Sequence, residues 1–129
     1  MNIVIPDCQQ LPEGVDFPPL AANKFGWQQF LGLNREELKE RCWRSHCVVT
    51  FNTHLDAETI NSMSKLELLV IASPNVSLVD AEAAKKNNVT VCHIPDLDAA
   101  QFDINKAEDA QQLCNTVVKV IDHYMLQSA

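Results

Sequence analysis

The sequence predicts an α/β domain with a doubly wound, five-stranded parallel sheet, helices on both faces and a long C-terminal helix. Three observations predict it. Short apolar runs recur along the chain, helix-capping residues stand between them, and a stripe of apolar residues at helical spacing closes the sequence. Parallel strands need crossover connections, which the intervening helices supply.

The predicted strands are short runs rich in apolar and β-branched residues. The run from 66 to 72, Leu-Glu-Leu-Leu-Val-Ile-Ala, is the strongest, and the run from 28 to 31 is the weakest. Pro6 stops the first run and Pro95 stops the last. The five predicted strands cover residues 2–5, 28–31, 46–51, 66–72 and 89–94.

The predicted helices begin at residues whose side chains accept hydrogen bonds from early helix amides. Asn34 with Glu37 predicts a helix over 35–44, and Asn105 with Glu108 predicts the final helix. Short helices follow Asp56 and Asp80, and a further short helix is predicted over 20–24 in an otherwise irregular segment. The second short helix stops at Asn87 and Asn88, because Asn tolerates the left-handed conformation. The apolar stripe of the final helix consists of Ala110, Leu113, Val117, Ile121 and Tyr124. Together these elements predict a flavodoxin-like domain.

Composition restricts the class of protein. A chain of 129 residues with 47% hydrophobic residues predicts one domain with one core. A net charge of -7 argues against a nucleic-acid partner, since that function needs a clustered excess of Lys and Arg. Five scattered cysteines indicate reduced thiols, and no apolar run reaches membrane-spanning length. We therefore expect a soluble, cytoplasmic protein with no membrane partner.

A ligand site is expected beyond the carboxyl ends of the strands, where strand order reverses. Residues following the strands gather there, and a turn that feeds a helix offers free amides to a small anion such as a carboxylate. The residues placed at this edge are Cys8, Phe51, Asn52, Thr53, His54, Ser73, Pro74, Asn75, Val76 and His93.

No catalytic or metal-binding residue is predicted. His54 has the position of an acid or base but is more simply a solvated loop histidine, and Cys8 is more simply a buried thiol than a nucleophile. Cys92 and His93 are adjacent in a strand and point to opposite faces, so they do not share a metal. The three glycines, Gly14, Gly26 and Gly32, cannot form a glycine-rich phosphate loop, so no dinucleotide site is expected.

The segment from Val48 to Pro95 resembles the amino-terminal, substrate-binding (catalytic) domain of the D-isomer-specific 2-hydroxyacid dehydrogenases, in particular the glycerate dehydrogenase or hydroxypyruvate reductase branch. The strongest match is Val-Asp-Ala-Glu-Ala-Ala-Lys-Lys over 79–86, followed by Val-Thr-Val-Cys-His-Ile-Pro over 89–95. Residues 55–60 resemble the short helix that follows the third strand in the family, and residues 66–71 resemble the family's fourth strand. The opening strand over 1–7 also fits.

The resemblance implies that an NAD(P)-binding domain, inserted after Pro95 in the family, is absent, and that residues 105–127 are the returning helix. Deleting an inserted domain leaves a continuous fold. The family's cofactor site and catalytic residues lie in that domain and transfer to no residue here. Its substrate-carboxylate loop corresponds to Asn75 and Val76, where Ser73 and Asn75 replace two glycines and Pro74 removes an amide donor. Thr53 agrees with a common family position. The implied substrate-binding remnant comprises Phe51, Asn52, Thr53, Ser73, Pro74, Asn75 and Val76.

The sequence leaves three functions open. The first is a binding, regulatory or self-associating module, not catalytic alone, that forms a homodimer or docks on a protein through the surface left by the missing domain. The second is an oxidoreductase component that binds a 2-hydroxy or 2-keto acid and takes its NAD(P) domain from a partner. The third is a sensor of small carboxylates.

Overall fold

A computed structural model describes residues 1–21, 25–73, 76–94 and 105–128 of the protein. The strands are β1 (Asn2–Ile5), β2 (Gly26–Gln29), β3 (Cys47–Thr50), β4 (Leu68–Ile71) and β5 (Thr90–His93). The helices are α1 (Arg35–Cys42), α2 (Ala57–Ser62), α3 (Ala81–Lys86) and α4 (Ala107–Ser128). Two short 3-10 helices cover Cys8–Gln10 and Val76–Leu78.

The five strands form one sheet in which each neighbouring pair is parallel, in the order β2-β1-β3-β4-β5. This is the predicted doubly wound α/β architecture, with the strand order of flavodoxin-like domains. Register is fixed by pairs such as Val48 with Leu69 and Val70 with Cys92. The sheet edges are β2 and β5.

Both faces of the sheet are buried, which explains the continuous apolar runs of β3 and β4. Val48 and Leu69 belong to the cluster covered by α1, α2 and α3, whereas Val49 and Val70 belong to the cluster covered by α4. The predicted stripe of α4 is confirmed: Ala110, Leu113, Val117 and Ile121 are buried, and Tyr124 packs against the same cluster.

The caps of the first three helices are confirmed. The Asn34 side chain accepts from the Glu37 amide at 2.8 Å, and the Glu37 carboxylate accepts from the Asn34 amide at 3.2 Å. Asp56 and Asp80 accept from the amides three residues ahead. The stop of α3 is Asn88, at a φ of 58°.

Several predicted boundaries are wrong. β2 begins and ends two residues earlier than predicted, because it pairs with β1 along its whole length. Leu20 and Ala21 are not helical, and the rest of the predicted helix over 20–24 lies outside the described residues. α4 is helical from Ala107, and the Lys106 carbonyl accepts from the Ala110 amide in its first turn.

The irregular segment between β1 and β2 is held against α4. Gln111 accepts from the Asp16 amide and donates to the Asp16 carbonyl at 2.8 Å, and Asp122 accepts from the Ala21 amide. The five cysteines are free thiols. Within the described ranges, no helix is long and apolar enough to cross a membrane.

Candidate ligand crevice at the carboxyl edge

The position of the crevice follows from strand order. β2 lies on one side of β1 and β3 on the other, so the winding reverses between β1 and β3. In open α/β sheets, the loops that leave such strands diverge to opposite faces, so the expected ligand crevice lies beyond their carboxyl ends. The segment after β1, Pro6 to Cys8, and the loop after β3, Phe51 to His54, are its walls.

Asp7 bridges the two walls of the crevice. Its Oδ1 accepts from the Phe51 amide at 3.1 Å and its Oδ2 accepts from the Asn52 amide at 2.5 Å. Burial raises the pKa of Asp7 above its ordinary value, and the two amide bonds oppose this rise without cancelling it. The chain's own carboxylate therefore occupies the anion donors at the switch point.

Asp7 was not among the predicted site residues, because the only signal in the sequence was its place after the first strand. Its partners are 44 and 45 positions away along the chain. An acidic residue directly after the first strand, at a predicted switch point, is the pattern that indicates such a contact.

The loop after β3 is also closed on itself. The Thr50 hydroxyl donates to the Thr53 carbonyl at 2.8 Å and accepts from the Thr53 amide at 2.9 Å. Phe51 is buried and packs against Phe17, with their ring centroids 6.1 Å apart. Of the predicted remnant in this loop, Asn52 is exposed and Thr53 is half-buried.

The loop after β4 adjoins the loop after β3. The Leu55 amide donates to the Leu78 carbonyl at 2.7 Å, and the Asp80 amide donates to the Leu55 carbonyl at 3.0 Å. Ser73 follows the end of β4, and Val76 begins a 3-10 helix. Pro74 and Asn75, which the sequence placed in the carboxylate loop, lie outside the described residues.

His93 lies at the end of β5 and contacts the loop after β4. Its Nε2 is 2.9 Å from the Ser73 carbonyl oxygen, so that nitrogen carries the proton in this contact. His93 therefore connects the end of β5 to the start of the predicted carboxylate loop. His54 is exposed.

The cysteines have the environments of structural thiols. The half-buried Cys8 thiol donates to the Phe30 carbonyl at 3.3 Å. Burial raises the pKa of Cys42 and of Cys114 to about 12 and raises that of Cys47 further. Among the described residues, no group of three or more His, Cys, Asp or Glu is arranged to hold a metal ion.

The sequence profile described as "D-isomer specific 2-hydroxyacid dehydrogenase, catalytic domain" matches residues 16–125 of the chain. The chain belongs to this dehydrogenase family. The match runs from the segment before β2 through most of α4, so it includes four of the five strands and leaves out β1. No curated protein sequence matches the chain significantly.

Solved dehydrogenase structures share the fold. The NAD+-bound 3-phosphoglycerate dehydrogenase of Entamoeba histolytica superposes with a TM-score of 0.58 at 19% identity, covering 74% of this chain and 33% of that one. The D-lactate dehydrogenase of Escherichia coli superposes with a TM-score of 0.56 at 15% identity, covering 76% of this chain and 32% of that one. The NAD-dependent formate dehydrogenase of Staphylococcus aureus superposes with a TM-score of 0.52 at 16% identity, covering 73% of this chain and 31% of that one. The chain thus spans about a third of the length of these relatives.

Proposed function

We propose that this member of the dehydrogenase family is a binding or regulatory module that performs no hydride transfer by itself. The observation that carries the proposal is the occupation of the Phe51 and Asn52 amides by the Asp7 carboxylate. A bound substrate carboxylate would compete with a negative group already seated at the switch point. The crevice is therefore better suited to holding the fold together than to admitting an anionic substrate.

The described residues do not fit a dinucleotide. Gly14 lies between β1 and β2, Gly26 begins β2, and Gly32 is the one glycine between β2 and α1. A pyrophosphate needs several close glycines between a strand and the following helix. The described residues therefore supply no glycine-rich turn on which NAD(P) would rest.

We also propose that the nucleotide-binding domain of the family is replaced here by the short connection after Pro95. The family match continues across this connection into α4. Three of the dehydrogenases that share the fold are about three times as long as the matched region. Removal of such a domain from the middle of the chain would expose the surface that it covered. We propose that the protein forms a homodimer through this surface.

The sequence similarity over 79–86 and 89–95 supports assignment to the glycerate dehydrogenase or hydroxypyruvate reductase branch. Hydroxypyruvate and glyoxylate are therefore the test substrates. Purified protein is incubated with NADH or NADPH and each 2-keto acid, and nucleotide absorbance is followed. The E. coli D-lactate dehydrogenase with pyruvate is the positive control.

We expect no turnover above the rate without protein. Turnover by the isolated chain would refute the proposal. Turnover that appears only with an added nucleotide-binding domain would support the oxidoreductase component instead. Thermal stabilisation by glyoxylate without turnover would support the carboxylate sensor. Light scattering after size exclusion tests the homodimer, and a strictly monomeric protein would contradict it.

A further inference from the structure

A second cavity lies at the opposite end of the sheet from the crevice. It has a volume of about 220 Å³ and opens where β1 and β2 begin and α1 ends. We call the strand residues Asn2, Val4 and Gln28 of its lining the floor, and the exposed residues Arg41 and Arg44, at and just after the end of α1, the rim. The floor thus offers two carboxamides, and the rim offers two guanidinium groups.

Gly26 lies beside Asn2 in the lining of this cavity. A Cβ atom at position 26 would lie 2.7 Å from Oδ1 of Asn2, closer than real Cβ contacts allow. The Asn2 carboxamide would then have to move. Glycine in an edge strand is otherwise unfavourable, and close approach of another group is one reason to find it there.

The guanidinium groups on the rim are not neutralised by carboxylates. On the same helix, Arg35 pairs with Asp56 and Glu58, and Lys39 pairs with Glu58. Among described residues, Arg41 and Arg44 form no ion pair, and no carboxylate lines the cavity. In a chain of net charge -7, this cavity is therefore lined by two arginines that form no described ion pair.

An exposed aromatic ring supports Arg44. Its guanidinium carbon lies 4.4 Å from the centroid of the Trp43 ring, which is 47% exposed. Stacking on a ring limits the orientations of a guanidinium while leaving its N–H donors available. The Trp43 ring therefore limits the orientations that Arg44 takes.

Helix polarity alone offers a competing explanation for these charges. Basic residues near a helix C-terminus interact favourably with its carbonyl groups. At α1, however, Ser45 donates both its amide, at 2.9 Å, and its hydroxyl, at 2.5 Å, to the Cys42 carbonyl. One terminal carbonyl is thus already satisfied from another source.

We propose that this cavity is a binding site for a small phosphate monoester. Arg41 and Arg44 hold the dianionic phosphate, because the planar guanidinium fork matches phosphate oxygens. The carboxamides of Asn2 and Gln28 face the organic part and suit its hydroxyl groups. The proposal is independent of the function assigned to the crevice, since the two lie at opposite ends of the strands.

The experiment is isothermal titration of the full chain with glycerol 3-phosphate, inorganic phosphate and succinate at constant ionic strength. We expect saturable 1:1 binding of glycerol 3-phosphate. The double variant Arg41→Gln/Arg44→Gln should weaken binding about tenfold or more, because it removes two charge-assisted contacts. Lys85→Gln/Lys86→Gln removes the same charge from the last turn of α3 and should leave the affinity within about threefold.

Three outcomes would overturn the proposal. The first is a heat signal no different from that of potassium chloride. The second is an unchanged affinity in the Arg41→Gln/Arg44→Gln variant, and the third is tighter binding of succinate than of either phosphate. If the Arg41→Gln/Arg44→Gln variant unfolds, Arg41→Lys/Arg44→Lys tests the site instead. This variant keeps both charges but loses the planar guanidinium groups, and we expect it to bind glycerol 3-phosphate about threefold more weakly. Unaltered affinity there counts against the site.

Discussion

Asp7 provides the sharpest test of the crevice, because its carboxylate is the direct link between the segment after β1 and the loop after β3. In Asp7→Ala the half-buried Phe51 amide loses its acceptor, which costs about 1–3 kcal/mol. The exposed Asn52 amide regains water, so its loss adds about 0.5 kcal/mol. Removing a carboxylate that is penalised by burial offsets part of this total.

We therefore expect Asp7→Ala to lower the free energy of unfolding by about 2 kcal/mol at pH 7, or the melting temperature by about 8 °C. Urea unfolding followed by circular dichroism measures the difference. Glu13→Gln is the charge control, because Glu13 is exposed. A loss below about 0.5 kcal/mol, the level of an ordinary surface substitution, would show that the bridge does not stabilise the fold.

The pH dependence tests the same contact in a second way. The pKa of Asp7 is raised in the folded protein, so folding favours its protonated form. This contribution is fully present below the ordinary value of 3.8 and is lost as pH rises through the folded pKa. The stability difference between wild type and Asp7→Ala should widen as pH falls from 7 towards 4. A difference that narrows over this range would mean that the amide bonds outweigh burial.

Three further predictions concern the core, a backbone turn and the thiols. Leu68→Ala, at a fully buried position, should lower the free energy of unfolding in urea by about 2–5 kcal/mol. Leu126→Ala, at 77% exposure, should lower it by less than about 0.5 kcal/mol, and equal losses would contradict the described core. In the same assay, Asn88→Gly should leave the free energy of unfolding nearly unchanged, and Asn88→Val should lower it by about 1–2 kcal/mol, because φ at this residue is 58°. Equal effects of the two variants would argue against a left-handed stop at Asn88. In the native protein at pH 8, a thiol reagent should modify only the half-buried Cys8 and Cys92, with Cys42, Cys47 and Cys114 reacting after unfolding; rapid modification of more than two thiols before unfolding would be inconsistent with the described burial.

The crevice shows how far sequence patterns reach into a site. They placed the loops after β3 and β4 at one edge, and the structure brings Leu55 and Leu78 into backbone contact there. They missed the Asp7 bridge, because a side chain that accepts from two distant amides leaves no local periodicity. The cavity at Arg41 and Arg44 was missed for the same reason, since its floor and rim come from three separate segments.

The sequence by itself determined the local elements of this protein. Apolar runs specified β3 and β4, and Asn34, Asp56 and Asp80 specified the starts of three helices, because strand burial and helix capping depend on neighbours a few residues away. Tertiary structure alone decided the strand order, the extent of β2 and the partners of Asp7. These depend on which strand pairs with which, and hydrogen bonds between segments far apart in the chain exist only once the sheet has assembled.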